Sequence, residues 1–339
     1  MGLWNEDGMK SLIGKLVSLL PLLIIVALLY AALFVKPRVE AANLVAPVIE
    51  RRDQFFGVAV ADAQIIWAVG SDGKIVRSAD RGKSWSAQRS GSTSVFQSIA
   101  AWDAQRAVAV GNAGIVTVTT DGGSTWAKAK VPQELGQTKL TRVRASTDGN
   151  AWAVGEMGAV LRSTDHGATW ERVHVLATEK DITWNDVGFD GSKGCVVGEF
   201  GQIVCTADNG QTWSASSSPV KSSLMAVRFA SRDRAIVVGL EGVVLHTRNA
   251  GASWTRIATD THEHLFDVLC DGEGWGAVGA KGVLVMSDGR GEHPKTAQIP
   301  DMRMTWFTAI EKLGNGYVLA GSLLGLVEGT KVTRLGDRI

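Results

Sequence analysis

A short turn motif, Asp-x-Gly-x-x-Trp, recurs at a nearly constant interval and constrains the fold more than any other feature of the chain. Its five tryptophans are 41, 44, 43 and 41 residues apart, at Trp85, Trp126, Trp170, Trp213 and Trp254. Four copies carry an acid, namely Asp80, Asp121, Asp165 and Asp208, whereas the fifth carries Asn249. A self-similar period of roughly 40–45 residues is typical of propeller blades.

A second marker extends the repeat beyond the five motifs. A glycine ends an apolar strand in every unit, at intervals of 40 to 44 residues: Gly70, Gly111, Gly155, Gly198, Gly239, Gly279 and Gly321. Each unit reads as four short strands joined by tight turns. One such unit cannot bury both faces of its own sheet, whereas radial stacking buries them and leaves few exposed edges. We therefore predict an all-β, seven-bladed β-propeller with four-stranded blades over residues 55–339.

The recurring motif suits a structural role. An Asp or Asn at a hairpin turn accepts backbone N–H groups, glycine supplies a positive φ, and the tryptophan ring can pack between blades. Five copies spread around a ring cannot converge on one substrate. The motif therefore predicts a structural fastening of the blades.

The sequence Ser/Thr-x-Asp-x-Gly-x-Thr/Ser-Trp resembles the Asp-box, or BNR repeat, of sialidases and other propellers. Across residues 55 to 335 the units are similar to the photosystem II stability/assembly factor family, most clearly over 96–126. That resemblance implies a non-enzymatic chaperone. Relatives in non-photosynthetic bacteria imply an accessory protein of an envelope complex, such as one with an RND-type transporter. The expected partner is an integral membrane protein complex.

The N-terminal region reads as a membrane anchor. Residues 16–35 contain no charge, and 20 residues of helix span about 30 Å, the thickness of a bilayer core. We predict a tail and single transmembrane helix over 1–38, a linker over 39–54, and a propeller in the bacterial periplasm, tethered to the inner membrane. The alternative is a signal peptide cut after Ala41, although the apolar core is longer than a usual signal sequence.

Charge and residue inventory argue against several functions. The chain has 35 basic and 34 acidic side chains, so it lacks the net charge that attracts nucleic acid. A sialidase-like hydrolase, one alternative, needs a tyrosine nucleophile with a glutamate partner beside its arginines. Tyr317 is the sole tyrosine outside the anchor, while Arg142, Arg144 and Arg228 are available for binding. A ligand-sensing propeller is the third possibility, which a dry, filled axis would argue against.

No cofactor, metal, catalytic residue or small-molecule substrate is expected. His262 and His264 have a spacing that suits a metal but show no third ligand, so a solvated loop is the preferred interpretation. Three cysteines without a C-x-x-C spacing do not suggest a disulfide framework. If the turn at Glu199-Phe200 has two residues, Cys195 and Cys205 fall on opposite faces of the sheet. We therefore expect free thiols.

The turns between the second and third strands are the expected working surface. They are read as two residues long, and they vary while the glycines that flank them do not. Variation of this kind is not required by the blade, and several turns combine an acid with an apolar residue, as binding patches do. The candidate partner-binding rim consists of Asp72, Glu156, Met157, Glu199, Phe200, Leu240 and Glu241.

Overall fold

The computed structural model describes residues 6–34, 47–176, 182–272, 274–288, 293–300, 302–329 and 331–336. The chain divides into two compact units, Met1–Ala46 and Pro47–Ile339. The first unit contains the helix α1 (Glu6–Phe34), whose segment Gly14–Phe34 is long and apolar enough to cross a membrane. A signal sequence near an N-terminus meets the same criteria of length and composition.

Seven antiparallel sheets of four strands are described in the second unit, and each sheet is one blade. Blade one contains β1 (Phe55–Val60), β2 (Ile66–Gly70), β3 (Ile75–Ser78) and β4 (Ser86–Gln88). Blade two contains β5 (Phe96–Ala101), β6 (Ala107–Gly111), β7 (Val116–Thr119) and β8 (Ala127–Lys128). Blade three contains β9 (Leu140–Ala145), β10 (Ala151–Gly155), β11 (Val160–Ser163) and β12 (Glu171–Arg172).

Blade four contains β13 (Trp184–Asp190), β14 (Lys193–Gly198), β15 (Ile203–Thr206) and β16 (Ser214–Ser216). Blade five contains β17 (Leu224–Ser231), β18 (Arg234–Gly239), β19 (Val244–Thr247) and β20 (Thr255–Arg256). Blade six contains β21 (Leu265–Asp271), β22 (Gly274–Gly279), β23 (Val283–Met286) and β24 (Lys295–Gln298). Blade seven contains β25 (Phe307–Leu313), β26 (Gly316–Gly321), β27 (Leu324–Glu328) and β28 (Lys331–Arg334). The predicted seven-bladed propeller is confirmed.

The first strands of the blades meet around the central axis and are tied to one another. Thr141 Oγ1 donates to Trp184 O at 2.8 Å, which links blades three and four. Thr308 Oγ1 donates to Phe56 O at 3.0 Å and so closes the ring between blades seven and one. Blade seven takes its four strands from one continuous segment. Residues 47–50 form no strand, although Ile49 is buried beside Leu335 of this blade.

The hydrophobic core lies between neighbouring blades. One cluster joins Val108 and Val118 of blade two to Val143 and Leu161 of blade three. The second strand of a blade is covered on both faces, and every residue of β10 is buried. This explains why these strands are continuous apolar runs rather than alternating ones.

The Asp-box turns connect the third and fourth strands and are closed by side-chain hydrogen bonds. In blade one, Gly82 N donates to Ser78 Oγ at 2.7 Å, and Ser84 N donates to Asp80 Oδ1 at 2.8 Å. In blade five, Asn249 Oδ1 accepts Ser253 N at 2.9 Å in the same way. The hydrogen bonds from Ser84 lower the pKa of Asp80 to about 2, because they stabilise the carboxylate.

The Asp-box tryptophans lie at the junctions between blades. Trp126 of blade two meets Trp67 of blade one edge to face, with ring centroids 5.7 Å apart. Trp213 of blade four meets Trp152 of blade three in the same manner at 5.8 Å. Trp170 is 7% exposed, and its Nε1 donates to Gly167 O at 2.8 Å. All of these contacts are structural.

The expectation of two-residue turns between second and third strands is wrong for blades one to six. The turn in blade four has three residues, Glu199–Gly201, with Phe200 at φ 57° and Gly201 at φ 71°. The extra residue shifts the pairing by one position, so that Cys195 lies directly opposite Cys205. The two cysteines form a disulfide, and the prediction of free thiols for this pair is also wrong.

The disulfide occupies a position that blades one and three fill with a tryptophan–arginine pair. Trp67 pairs across the strands with Arg77, and the guanidinium lies 5.0 Å from the ring centroid. Trp152 and Arg162 repeat this arrangement in blade three. The glycine of the next Asp-box turn packs on each pair, and a Cβ at Gly251 would collide with both sulfurs of the disulfide. The disulfide therefore replaces a cation–π pair as the support for the next blade.

Candidate functional site

Two faces of the propeller differ in chemistry. We call the face that carries the turns between second and third strands the rim face, and the opposite one, with the Asp-box turns, the Asp-box face. On the rim face of blades one to six, the middle residue of each turn is exposed and has a positive φ. These residues are Asp72, Ala113, Met157, Phe200, Glu241 and Lys281.

The rim turns have the hydrogen bond and the left-handed central residues of a type I′ turn. In blade four, Gln202 N donates to Glu199 O at 3.0 Å, and both residues between them have a positive φ. Such a turn favours Asn-Gly or Asp-Gly, because other side chains are strained in this conformation. Asp72-Gly73 follows the preference, whereas Met157-Gly158 and Phe200-Gly201 do not.

Met157 and Phe200 are the unusual members of the rim. Their side chains are 56% and 68% exposed, on neighbouring blades. A large apolar residue at a positive φ is an outlier, and such outliers cluster at functional positions. Neither side chain gains burial in return for its backbone strain. These two residues therefore give the rim of blades three and four exposed apolar surface.

The acids of the rim are used partly within the fold. Glu199 Oε2 accepts Thr183 N at 2.9 Å. Glu241 Oε2 accepts Ser222 Oγ at 2.8 Å, while its own N–H donates to His264 Nδ1 at 3.1 Å. Glu156 and Leu240 are half-buried and Asp72 is exposed. His264 thus supports a rim turn, and the described chain contains no group of three or more residues suited to a metal.

The mouth of the axis on the rim face was missed by the sequence reasoning. The second residue of each first strand is half-buried there, and three of the seven are the apolar residues Phe56, Met225 and Phe266. Trp306 stacks on Phe56 with centroids 5.6 Å apart, and nearby Met304 is 95% exposed. The signal was available, since aligning the repeats shows a large apolar residue at this position in three blades and a polar residue in the other four.

An ion-pair cluster fills the axis at mid-depth. It combines three arginines with three carboxylates: Arg142, Arg144, Arg228, Asp186, Asp267 and Glu311. Arg144 donates to Asp186 from Nε at 3.0 Å and from Nη2 at 2.7 Å. Its Nη2 also donates to Asp267 Oδ1 at 3.1 Å. The arginines noted in the sequence do converge, but on internal acids that the sequence reasoning did not identify.

Electrostatics keep two members of this cluster, Arg144 and Asp267, charged. Burial opposes the charge on Arg144, but the carboxylates of Asp186 and Asp267 outweigh it and raise the pKa of the guanidinium. Burial likewise opposes ionisation of Asp267, but the arginines, chiefly Arg142 and Arg144, lower the pKa of this carboxyl. Both groups therefore stay ionised at neutral pH.

The acids of the cluster also fasten neighbouring blades. Asp186 Oδ2 accepts Val227 N of blade five at 3.0 Å, and Asp267 Oδ2 accepts Ile310 N of blade seven at 3.0 Å. Ser98 does the same for Val143 N at 3.2 Å. A buried N–H without a partner is costly, so these side chains have a structural reason to be present.

Tyr317 lies away from the arginines. It is in β26, the second strand of its blade, and packs against the cluster that contains Leu319 and Val327. The arrangement that a sialidase-like site requires is not found at the axis within the described residues. The arginines there are engaged by internal carboxylates instead.

Comparison with known proteins agrees with the architecture. Residues 92–180 match the model of the photosynthesis system II assembly factor YCF48, and residues 158–295 match that of sortilin, neurotensin receptor 3. No curated protein sequence matches the chain. The expected resemblance to photosystem II assembly factor-like Asp-box propellers is confirmed.

Solved structures share the fold at low sequence identity. YCF48 bound to a D1 peptide has a TM-score of 0.65 and 17% identity, covering 85% of this chain and 94% of that one. YCF48 from Cyanidioschyzon merolae has a TM-score of 0.64 and 16% identity, covering 80% and 94%. An ancestral GH74 enzyme has a TM-score of 0.64 and 12% identity, covering 81% of this chain and 44% of its own. The shared fold thus serves both assembly factors and enzymes.

Proposed function

We propose that this protein is a non-enzymatic assembly or stability factor that binds an integral membrane protein through its rim face. The observation that carries the proposal is the pair of exposed apolar side chains, Met157 and Phe200, at left-handed turn tips on adjacent blades. Apolar anchors in a polar setting are what a binding surface offers. The resemblance to YCF48, one structure of which holds a D1 peptide, supports a membrane-protein client.

We further propose that α1 anchors the protein and that the propeller lies in an oxidising compartment, the bacterial periplasm. The uncharged segment within Gly14–Phe34 supports the anchor. The Cys195–Cys205 disulfide supports the compartment, since disulfides persist on the oxidising side of a membrane and are rare in the cytosol. An RND-type transporter complex is the client class that we propose, on the resemblance to non-photosynthetic relatives alone.

The test replaces the two exposed apolar residues of the rim, Met157 and Phe200, with asparagine, which type I′ turns prefer. The double variant Met157→Asn/Phe200→Asn creates two Asn-Gly turns, so it should fold as stably as the wild type or more so. Co-purification of the client from native membranes, measured by crosslinking and mass spectrometry, should nevertheless be lost. The matched control Ala113→Asn/Lys281→Asn makes the same change in blades two and six and should leave the client bound.

A charge-reversal experiment tests the acids of the same rim. Changing Glu156, Glu199 and Glu241 together to Lys should abolish co-purification from a variant that still folds, and single changes should have weaker effects. A modest loss of melting temperature is expected, because Glu199 and Glu241 no longer accept the hydrogen bonds from Thr183 N and Ser222 Oγ. The control reverses three exposed acids toward the Asp-box face, Glu171, Asp190 and Glu328, with an identical change in net charge. Intact co-purification by both folded rim variants would place the interface on the Asp-box face or on α1.

A further inference from the structure

A cavity of about 260 Å³ lies on the axis at the carboxyl ends of the first strands, toward the Asp-box face and below the ion-pair cluster. It exists because the fifth residue of the first strand differs among blades. Blades one, two and four place Ala59, Ala100 and Gly188 there, which leaves space. Blades three, five and seven place Arg144, Arg228 and Glu311 around the same space. The axis is therefore filled at mid-depth but open beneath.

The polar wall of the cavity holds both signs of charge in fixed positions. Arg228 Nη2 donates to Glu311 Oε1 at 2.6 Å, and Arg144 Nη1 lies 3.8 Å from the same oxygen. Asp186 and Asp267 hold Arg144 from the other side. Arg228 and Glu311 are 23% and 24% exposed, so part of each charged group is accessible.

Several atoms of this wall have unused hydrogen-bonding capacity. Nε of Arg228 is buried without a partner in the described chain. Within the same described residues, Arg228 Nη1 and Glu311 Oε2 make no hydrogen bond either. A desolvated guanidinium that is not fully paired gains from an anion, and a carboxylate with a free oxygen gains from a cation.

Another part of the cavity lining is apolar and aromatic. Phe189 and Phe229 line it, and Trp152 stacks on Phe189 with ring centroids 4.8 Å apart. Ligand sites combine such a wall with a small number of placed polar groups. The volume lies below the roughly 300–1,000 Å³ of sites for drug-sized ligands, so it suits a small metabolite.

We infer that the axial cavity binds a free α-amino acid with an apolar side chain. The α-carboxylate pairs with Arg228 and Arg144, the α-ammonium pairs with Glu311, and the side chain packs against Phe189 and Phe229. Two cations and one anion on the wall match a ligand that carries both charges. This site goes beyond the proposed function and lies toward the face opposite the rim, so the two can be tested separately.

The test titrates the full-length protein in detergent with L-phenylalanine by isothermal calorimetry. We expect saturable binding of one molecule, at least tenfold tighter than that of N-acetyl-L-phenylalanine, which lacks the ammonium, or of phenethylamine, which lacks the carboxylate. Arg228→Gln and Glu311→Gln should each weaken binding at least tenfold. The rim variant Phe200→Asn should bind L-phenylalanine as the wild type does, whatever its effect on the client.

Two further variants distinguish loss of binding from loss of folding. Arg228→Gln/Glu311→Gln leaves no unpaired charge, and Ala100→Leu fills the cavity without touching the ion pairs; both should fold and fail to bind. Absence of binding by the wild type at millimolar ligand would overturn the inference. Equal affinity for L-phenylalanine and its N-acetyl derivative, or undiminished binding by the folded double variant, would also overturn it.

Discussion

Removing the Trp170 ring tests whether the Asp-box tryptophans stabilise the fold or form a functional site. The side chain is 7% exposed, and a buried tryptophan hides roughly 150–250 Å². At about 25 cal/mol/Å² this burial contributes approximately 4–6 kcal/mol, and the bond from Nε1 to Gly167 O adds about 1 kcal/mol. Since alanine retains part of the burial, Trp170→Ala should lower the free energy of unfolding by about 5 kcal/mol.

Trp126 provides the matched comparison. It holds the same motif position but is only half-buried, and its Nε1 has no hydrogen-bond partner among the described residues. Trp126→Ala should therefore cost about 3 kcal/mol, at the lower end of the range for such substitutions. Urea unfolding of the full-length protein in detergent, followed by far-ultraviolet circular dichroism, measures both values. An unchanged midpoint for Trp170→Ala, or a larger loss for Trp126→Ala, would refute the reasoning.

Three other outcomes are expected. Cys195→Ala/Cys205→Ala should lower the free energy of unfolding by about 2.7 kcal/mol, because the disulfide links residues 10 positions apart and closes that loop. Maleimide labelling of the denatured wild type should modify Cys270 alone until a reductant is added. Asp267, whose pKa is lowered in the fold, contributes stability above its unfolded pKa of about 3.9, and this is lost as pH falls through the lower folded value. Asp267→Asn should therefore cost about 3 kcal/mol at neutral pH and flatten acid unfolding curves. Deleting residues 1–38 should release a soluble, folded propeller, whereas mature protein starting at Ala42 would contradict a retained anchor.

The architecture was predictable because every blade of a propeller needs similar residues at equivalent positions. Each blade needs a glycine at the end of its second strand, where a Cβ at Gly155 would collide with the carbonyl of Lys139. That requirement recurs in every unit and is visible in one sequence. Turn length was not predictable in the same way. The third residue of each of these turns is a glycine, and the sequence alone does not show whether this glycine ends the turn or begins the next strand. An error of one residue in the turn length placed Cys195 and Cys205 on opposite faces of the sheet. The sequence therefore predicted free thiols where the structure has a disulfide.

The axial cluster was harder to predict than the fold. Arg144 and Asp267 are 123 residues apart, and only the closed ring brings them within 3.1 Å. No local pattern reports such a contact. The alignment of first strands does place both residues on the axis, at the fifth and third positions respectively. It leaves open which acid meets which arginine, because that depends on how far each side chain reaches across the ring.

Positions that differ between blades carry the functional information in this fold. A residue that every blade needs appears in every blade, as the glycine at the end of the second strand does. Phe200 appears once, at a backbone conformation that disfavours it and with its ring 68% exposed. Folding does not require this side chain, since Ala113 and Lys281 complete the equivalent turns without an apolar ring. Phe200 thus costs free energy in the propeller and is not required by its blade, which is the physical reason for the proposal that the client contacts blades three and four.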